Sequence, residues 1–174
     1  RVSISVPRNS SCLMASNFSL ESVQVSLTPQ ERFEEYLQSR SKRCTGPRRI
    51  LVDHIFSNHE HFDAETLIAQ LPGKNDKGYV SRATVFRTLN ELVEAGLLSK
   101  LDLASRTVFE HDYGYPQHDH LHCTKCDQLI EFQSEELKRL REQVAQQHKF
   151  RVTGHRLIIS GICEKCARAN RRQR

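Results

Sequence analysis

The chain has 174 residues, a formal net charge of +5 and 37% hydrophobic residues. That length holds one ordinary domain or two small lobes, and two compact lobes are the expected arrangement. No stretch approaches a membrane span, and Pro7, Arg8 and Asn9 interrupt the apolar core a signal peptide needs, which points to a reducing cytoplasm. The positive balance favours a polyanionic partner over an acidic one.

Residues 1–27 are rich in serine and show neither a helical nor a strand period, so a disordered leader without chemistry is expected. The single methionine, Met14, is a candidate start of translation. Thr28 and Pro29, followed by Glu31, Phe33, Tyr36 and Leu37, read as a capped helix with an acidic first turn and one apolar face. Pro47 opens a second helix, with Ile50, Leu51, His54 and Ile55 at helical spacing. A third runs from Asp63 to Ala69 and ends at Pro72 and Gly73.

The most informative helix of this half is capped by Ser81 and stopped by Gly96. At about 100° per residue, Val85, Leu89, Leu92 and Val93 form its buried stripe. Ala83, Thr84, Phe86, Arg87 and Asn90 share the opposite side, a mixture able to meet base edges and phosphates in a major groove. The dull alternative is a solvated face with a stray aromatic. Leu97 to Asp102 and Arg106 to Glu110 then read as two short strands, so three helices and a hairpin predict a winged helix-turn-helix. Arg48, in the basic group with Lys42, Arg43, Arg49, Arg82 and Arg87, joins the candidate DNA-contacting residues.

Residues 111–117 form a tyrosine, glycine and proline linker. Past it comes His118-Asp119-His120-Leu121-His122-Cys123-Thr124-Lys125-Cys126, nitrogen ligands running into a C-x-x-C pair. Cys163 and Cys166 supply a second such pair. Two pairs can close a tetrahedral four-sulfur zinc site with no position open to water, a structural site. Cys12 and Cys44 are left unmatched. If residues 118–122 are extended, His118 and His120 share one face and Asp119 takes the other, and such imidazoles suit a reversibly bound iron, manganese or zinc ion. A strand at 128–132, a helix from Ser134 with Leu137, Leu140 and Val144 on one side, and strands at 150–152 and 155–159 complete a small α+β lobe. So small a lobe is expected to bury surface in a symmetric dimer, with a monomer closed by its own zinc as the alternative. Residues 168–174 are expected to be a disordered basic tail.

Over about Thr28 to Cys166 the chain resembles the ferric uptake regulator family of metal-dependent repressors. The resemblance rests on Ala83-Thr84-Val85-Phe86-Arg87, on the His118 to Cys126 stretch and on Ile130-Glu131-Phe132. It implies a homodimer with a winged-helix domain at residues 28–110, a hinge at 111–117 and a metal-binding dimerisation domain at 118–167. It further implies a structural zinc on Cys123, Cys126, Cys163 and Cys166, and a regulatory metal on His61, Glu110, His118, His120 and Glu131. One more residue than usual separates Glu110 from His118, leaving His111 and Asp112 as alternative hinge ligands. The family often has a further site in the dimer lobe. Asp119 and His155 match it, but Gln117 replaces a histidine and Lys138 a carboxylate, so that site is expected to be absent or crippled.

The implied function is a ferrous-iron-responsive repressor of metal homeostasis genes acting on an inverted-repeat DNA operator. A peroxide sensor is the runner-up, disfavoured because Glu131 stands where that branch carries aspartate; zinc and manganese sensing remain open. A zinc hydrolase or redox enzyme is the distant alternative. It lacks an H-E-x-x-H helix. A zinc adaptor that binds only protein is a third rival.

Overall fold

A computed structural model describes residues 25–58, 60–103 and 105–171. Helix α1 (Pro29–Ser39) starts at a reciprocal cap, in which the Glu31 amide donates to the Thr28 hydroxyl at 3.2 Å and the Thr28 amide donates to the Glu31 carboxylate at 2.8 Å. Helix α2 (Gly46–Ser57) follows with proline in its first turn. Its buried residues are Leu51, Val52 and Ile55. Ile50 is exposed and His54 pairs with Gln70 at 3.2 Å, so the face is rotated by one position from the sequence expectation.

Helix α3 (Ala64–Gln70) is capped by Asp63, which accepts from the Thr66 amide at 2.8 Å. Helix α4 (Arg82–Glu94) is capped by Ser81 and followed by Gly96 at φ 68°, a left-handed position that glycine adopts without strain. Strands β1 (Leu98–Asp102) and β2 (Thr107–His111) make an antiparallel hairpin with Leu98 opposite His111. Phe33, Leu37, Leu51, Val85, Leu89, Leu92, Leu97 and Leu98 are almost wholly buried together. At about 1.5–3 kcal/mol each, they hold the helices to the base of the hairpin. This is a winged helix. The expected stripe on α4 holds for Val85, Leu89 and Leu92, with Val93 partly buried.

The linker enters one residue later than the sequence expectation, since β2 runs through His111, whose ring lies 4.7 Å from Phe56. The second lobe is a three-stranded sheet in the order β4-β3-β5, built from β3 (Asp119–Cys123), β4 (Leu129–Phe132) and β5 (Ile158–Gly161). β4 lies antiparallel to β3 and β5 parallel to it. Helix α5 (Glu135–Gln147), capped by Ser134, links β4 to β5. Residues 150–157 are irregular where strands were expected, and β5 is the strand that forms. The chain continues as helix α6 (Glu164–Arg171), which corrects the expectation of a disordered tail over those residues. Residues 1–24 of the expected leader, with Met14 and Cys12, and residues 172–174 lie outside the described residues. Among the described residues no helix is long and apolar enough to cross a membrane.

The two lobes differ in what they bury. No residue of α5 is buried, and Leu140, Val144, Ile130 and Ile159 are each 43 to 54% exposed. The first lobe closes its own core; the second leaves an apolar face open on the single chain.

Candidate metal centres

The four cysteines of the two C-x-x-C pairs converge, with their sulfurs all within 4.8 Å of one another. Cys126 and Cys163 are 3.8 Å apart at sulfur. Four sulfurs around one zinc at the usual bond length are separated by about 3.8 Å, whereas a disulfide needs about 2 Å, so the donor set fits a zinc ion and all four thiols are free. Backbone amides of Cys163, Lys125 and Cys126 point at the Cys123 sulfur and pull its thiol down to about 6. Cys166 is pushed up to about 12, chiefly by the sulfurs of Cys126 and Cys163. Four thiolates at this spacing require a cation.

The second centre joins the lobes. The amides of Phe62 and Phe109 exchange hydrogen bonds with each other's carbonyls at 3.1 and 2.7 Å, which straps the loop before α3 to β2 and brings His61 beside Glu110. Across the hinge, β3 carries His120 directly opposite Glu131 of β4. Ligand atoms of His61, His118, His120 and Glu131 lie within 4.8 Å of one another. Glu110 completes the group, its Oε2 lying 2.9 Å from His120, 3.2 Å from His61 and 3.5 Å from His118, each at Nε2. All five residues implied by the resemblance thus meet. His111 lies beside the cluster but stacks on Phe56, and neither it nor Asp112, raised by burial and by Glu110, is among the converging ligands.

His118 provides the test of fit. Its Nδ1 lies 3.0 Å from the Pro116 carbonyl, which fixes the tautomer with Nε2 as the lone-pair side. That Nε2 is buried with no hydrogen-bond partner. Burial works against a charged ring, but Glu110, the Pro116 carbonyl and Glu131 outweigh it and push His118 up to about 9. For Glu110, burial acts upward, and the three histidines overcome it, holding the carboxyl well below the ordinary range. Three imidazoles and two carboxylates suit a divalent transition metal.

The sequence profile of the ferric uptake regulator family matches residues 39–160. The chain belongs to the ferric uptake regulator family. Its members regulate transcription and are not enzymes, which removes the hydrolase alternative. The ferric uptake regulation protein of Campylobacter upsaliensis is 32% identical over 136 residues, covering 78% of this chain and 87% of its own. The ferric uptake regulator of Francisella tularensis, solved with iron, is 26% identical with a TM-score of 0.62 and covers 72% of this chain and 94% of its own. That of Helicobacter pylori, described with three functional metal binding sites, has a TM-score of 0.72 at 20% identity, covers 85% of this chain and 97% of its own, and is similar in fold.

Within this family frame, α4 presents Ala83, Phe86, Arg87 and Asn90 to solvent, while Thr84 is half-buried with its hydroxyl 2.9 Å from that of Ser81. Arg87 makes no hydrogen bond or ion pair with any described residue, which leaves its guanidinium available. Arg48 differs. Its guanidinium holds both carboxylate oxygens of Glu91 at 2.8 and 2.9 Å and the Arg43 carbonyl at 2.8 Å, so it fastens α2 to α4.

Sequence reasoning missed the remaining contacts between the lobes. Arg156 donates to the Lys100 carbonyl at 2.9 Å and to the Ser99 hydroxyl at 2.5 Å. Asp127, at φ 56°, accepts from Ser105 of the wing turn at 2.5 Å and lies 3.0 Å from His122. The only signal in the sequence is an aspartate two places before the β4 run, which reads as any turn residue.

Proposed function

We propose that this chain is a cytoplasmic, homodimeric, metal-responsive DNA-binding repressor for which ferrous iron is the leading effector. The observation that carries this reading is the origin of the second cluster's ligands. His61 and Glu110 belong to the winged-helix lobe, while His118, His120 and Glu131 belong to the other. A divalent ion held by all five would fix the angle between the lobes, and with it the separation of two α4 helices across a dimer. In this reading residues 28–110 bind DNA, 111–117 form the hinge and 118–167 form the dimerisation unit. Zinc on the four cysteines would cross-link the β3–β4 turn to the start of α6 and supply fold stability.

Several features support the partners. The open apolar face of α5 and the sheet fits a second copy of the chain, and dimer symmetry matches an inverted-repeat operator. Ala83, Thr84, Phe86 and Arg87 would face the major groove, with Phe86 offering apolar contact to a thymine methyl. Arg48 would act by positioning α4. Iron leads because the Campylobacter and Francisella relatives are ferric uptake regulators and the latter was solved with iron; the donor set also accepts manganese or zinc.

The test is an anaerobic titration of zinc-loaded protein with ferrous, manganous and zinc ions at fixed salt, reading affinity for an inverted-repeat duplex. A useful switch needs roughly 5- to 150-fold tightening, with metal binding tightened equally by DNA. Tightening by iron that is lost in His118→Ala/His120→Ala, with the dimer intact, is the expected result. An affinity that ignores every metal would sink the proposal.

A further inference from the structure

The Helicobacter pylori regulator is described with three functional metal binding sites. Among the described residues here, two groups of three or more ligand side chains converge. A further acid–imidazole pair lies in the second lobe, where His155 Nε2 is 2.9 Å from Oδ1 of buried Asp119. The group that meets the imidazole on its other side is a cation. Arg141 of α5 places Nη1 2.6 Å from His155 Nδ1 and 3.3 Å from Gln117 Oε1. Gln117 in turn donates from Nε2 to the His155 carbonyl at 3.0 Å. Lys138 and Glu135 line the same pocket, their charged ends 4.0 Å apart.

The donor inventory decides what this pocket takes. A guanidinium has hydrogens to give and no lone pair to offer, so at 2.6 Å His155 Nδ1 is the acceptor. The neutral ring then carries its hydrogen on Nε2, the nitrogen facing Asp119. An imidazole binds a metal through a nitrogen lone pair, and this one has its lone pair committed to Arg141. Arginine does not deprotonate in proteins and cannot yield the position to an incoming cation. The residues present do not fit a metal ion.

We propose that the Arg141 guanidinium is a built-in cation standing in place of a third metal ion, tying α5 to β3 through His155 and Asp119. This part of the second lobe is then assembled whatever the metal supply, and the metal response of the chain is confined to the cluster between the lobes.

The proposal is tested by metal content. Wild-type protein, His155→Ala and the combined Gln117→His/Lys138→Glu/Arg141→Ala variant are reconstituted with excess zinc or manganese, freed of loose metal and measured by elemental analysis, with circular dichroism confirming the fold. His155→Ala is expected to hold as many ions as wild type, and the combined variant one more per chain. Loss of one ion per folded chain in His155→Ala, or no gain in the folded combined variant, would overturn it. Both readouts are differences between variants, so they stand apart from the number of ions the other clusters take.

Discussion

Glu91 lies on the inner side of α4 with 5% of its side chain exposed, gripped by Arg48 through two oxygens and by Lys42 at 2.8 Å. Removing the carboxylate would leave the Arg48 guanidinium, on a side chain that is 13% exposed, without its partner. Breaking a buried pair from one side is far more damaging than never having built it. Glu91→Ala is expected to cost about 3 kcal/mol in urea unfolding followed through the winged-helix lobe; a loss under about 0.5 kcal/mol would show that water replaces the pair at no cost. A milder case is Thr28, whose loss in Thr28→Ala should cost about 1 kcal/mol as the α1 cap opens. The Thr28 amide, and after it the Thr28 hydroxyl that the variant removes, donate to the Glu31 carboxylate and hold its carboxyl below the ordinary value. Because the folded value is the lower one, its contribution is present above the usual glutamate range and is lost as pH falls through the folded value. The Thr28→Ala penalty should therefore shrink in acid, which unfolding curves at several pH values would reveal.

At the scale of elements, α4 divides its labour by face. Its inner side is fixed by Val85, Leu89 and Leu92, so changes at exposed Arg87 should leave the fold alone. Arg87→Ala is expected to weaken operator binding about 10- to 100-fold, a cost of about 1–3 kcal/mol, with an unchanged melting curve. Equal affinity in a fluorescence anisotropy assay would place DNA on another surface. This helix was legible because Ser81, Gly96 and a clean apolar period all agree. The hairpin after it was also legible, from two short apolar runs around a polar turn. Strands at 150–152 and 155–157 were misread because Phe150 and Val152 alternate correctly yet have no neighbour to pair with, and β-propensity needs a partner strand. The rotated face of α2 has a similar origin. Val52 and Ile50 are equivalent by hydropathy, and only packing against α1 and α4 decides which turns inward. Over residues 168–171 the expectation of disorder was misjudged on composition, since α6 forms immediately after Cys163 despite its arginines. For the metal centres, the cysteine pairs were legible from spacing alone. The joining of His61 to Glu110 was not, because it depends on the strap between Phe62 and Phe109 at a separation no local pattern encodes.

Among the described residues, the two lobes are held by the Arg156 hydrogen bonds to β1, the Asp127 bonds to the wing turn, and the His61, Glu110, His118, His120 and Glu131 cluster. The first two involve none of the candidate ligands, so the lobes should stay in loose register when the cluster is empty and tighten when it fills. The cysteine cluster serves a different end. Cys166→Ser is expected to lose zinc and lower the melting temperature of the second lobe, and a variant as stable as wild type with full zinc content would contradict that assignment. Placing Glu at both Leu140 and Val144 should convert the proposed dimer to monomers in sedimentation, given how exposed both are on the single chain. The central claim is that one ion bridges the lobes. Its most direct test is the distance between spin labels placed on exposed positions of α1 and α5, measured by pulsed electron resonance with and without added diamagnetic zinc. The distance distribution should be broad without the added ion, narrow to a single peak with it, and stay broad in His61→Ala. An unchanged distribution in wild type, or narrowing that survives in His61→Ala, would contradict the account.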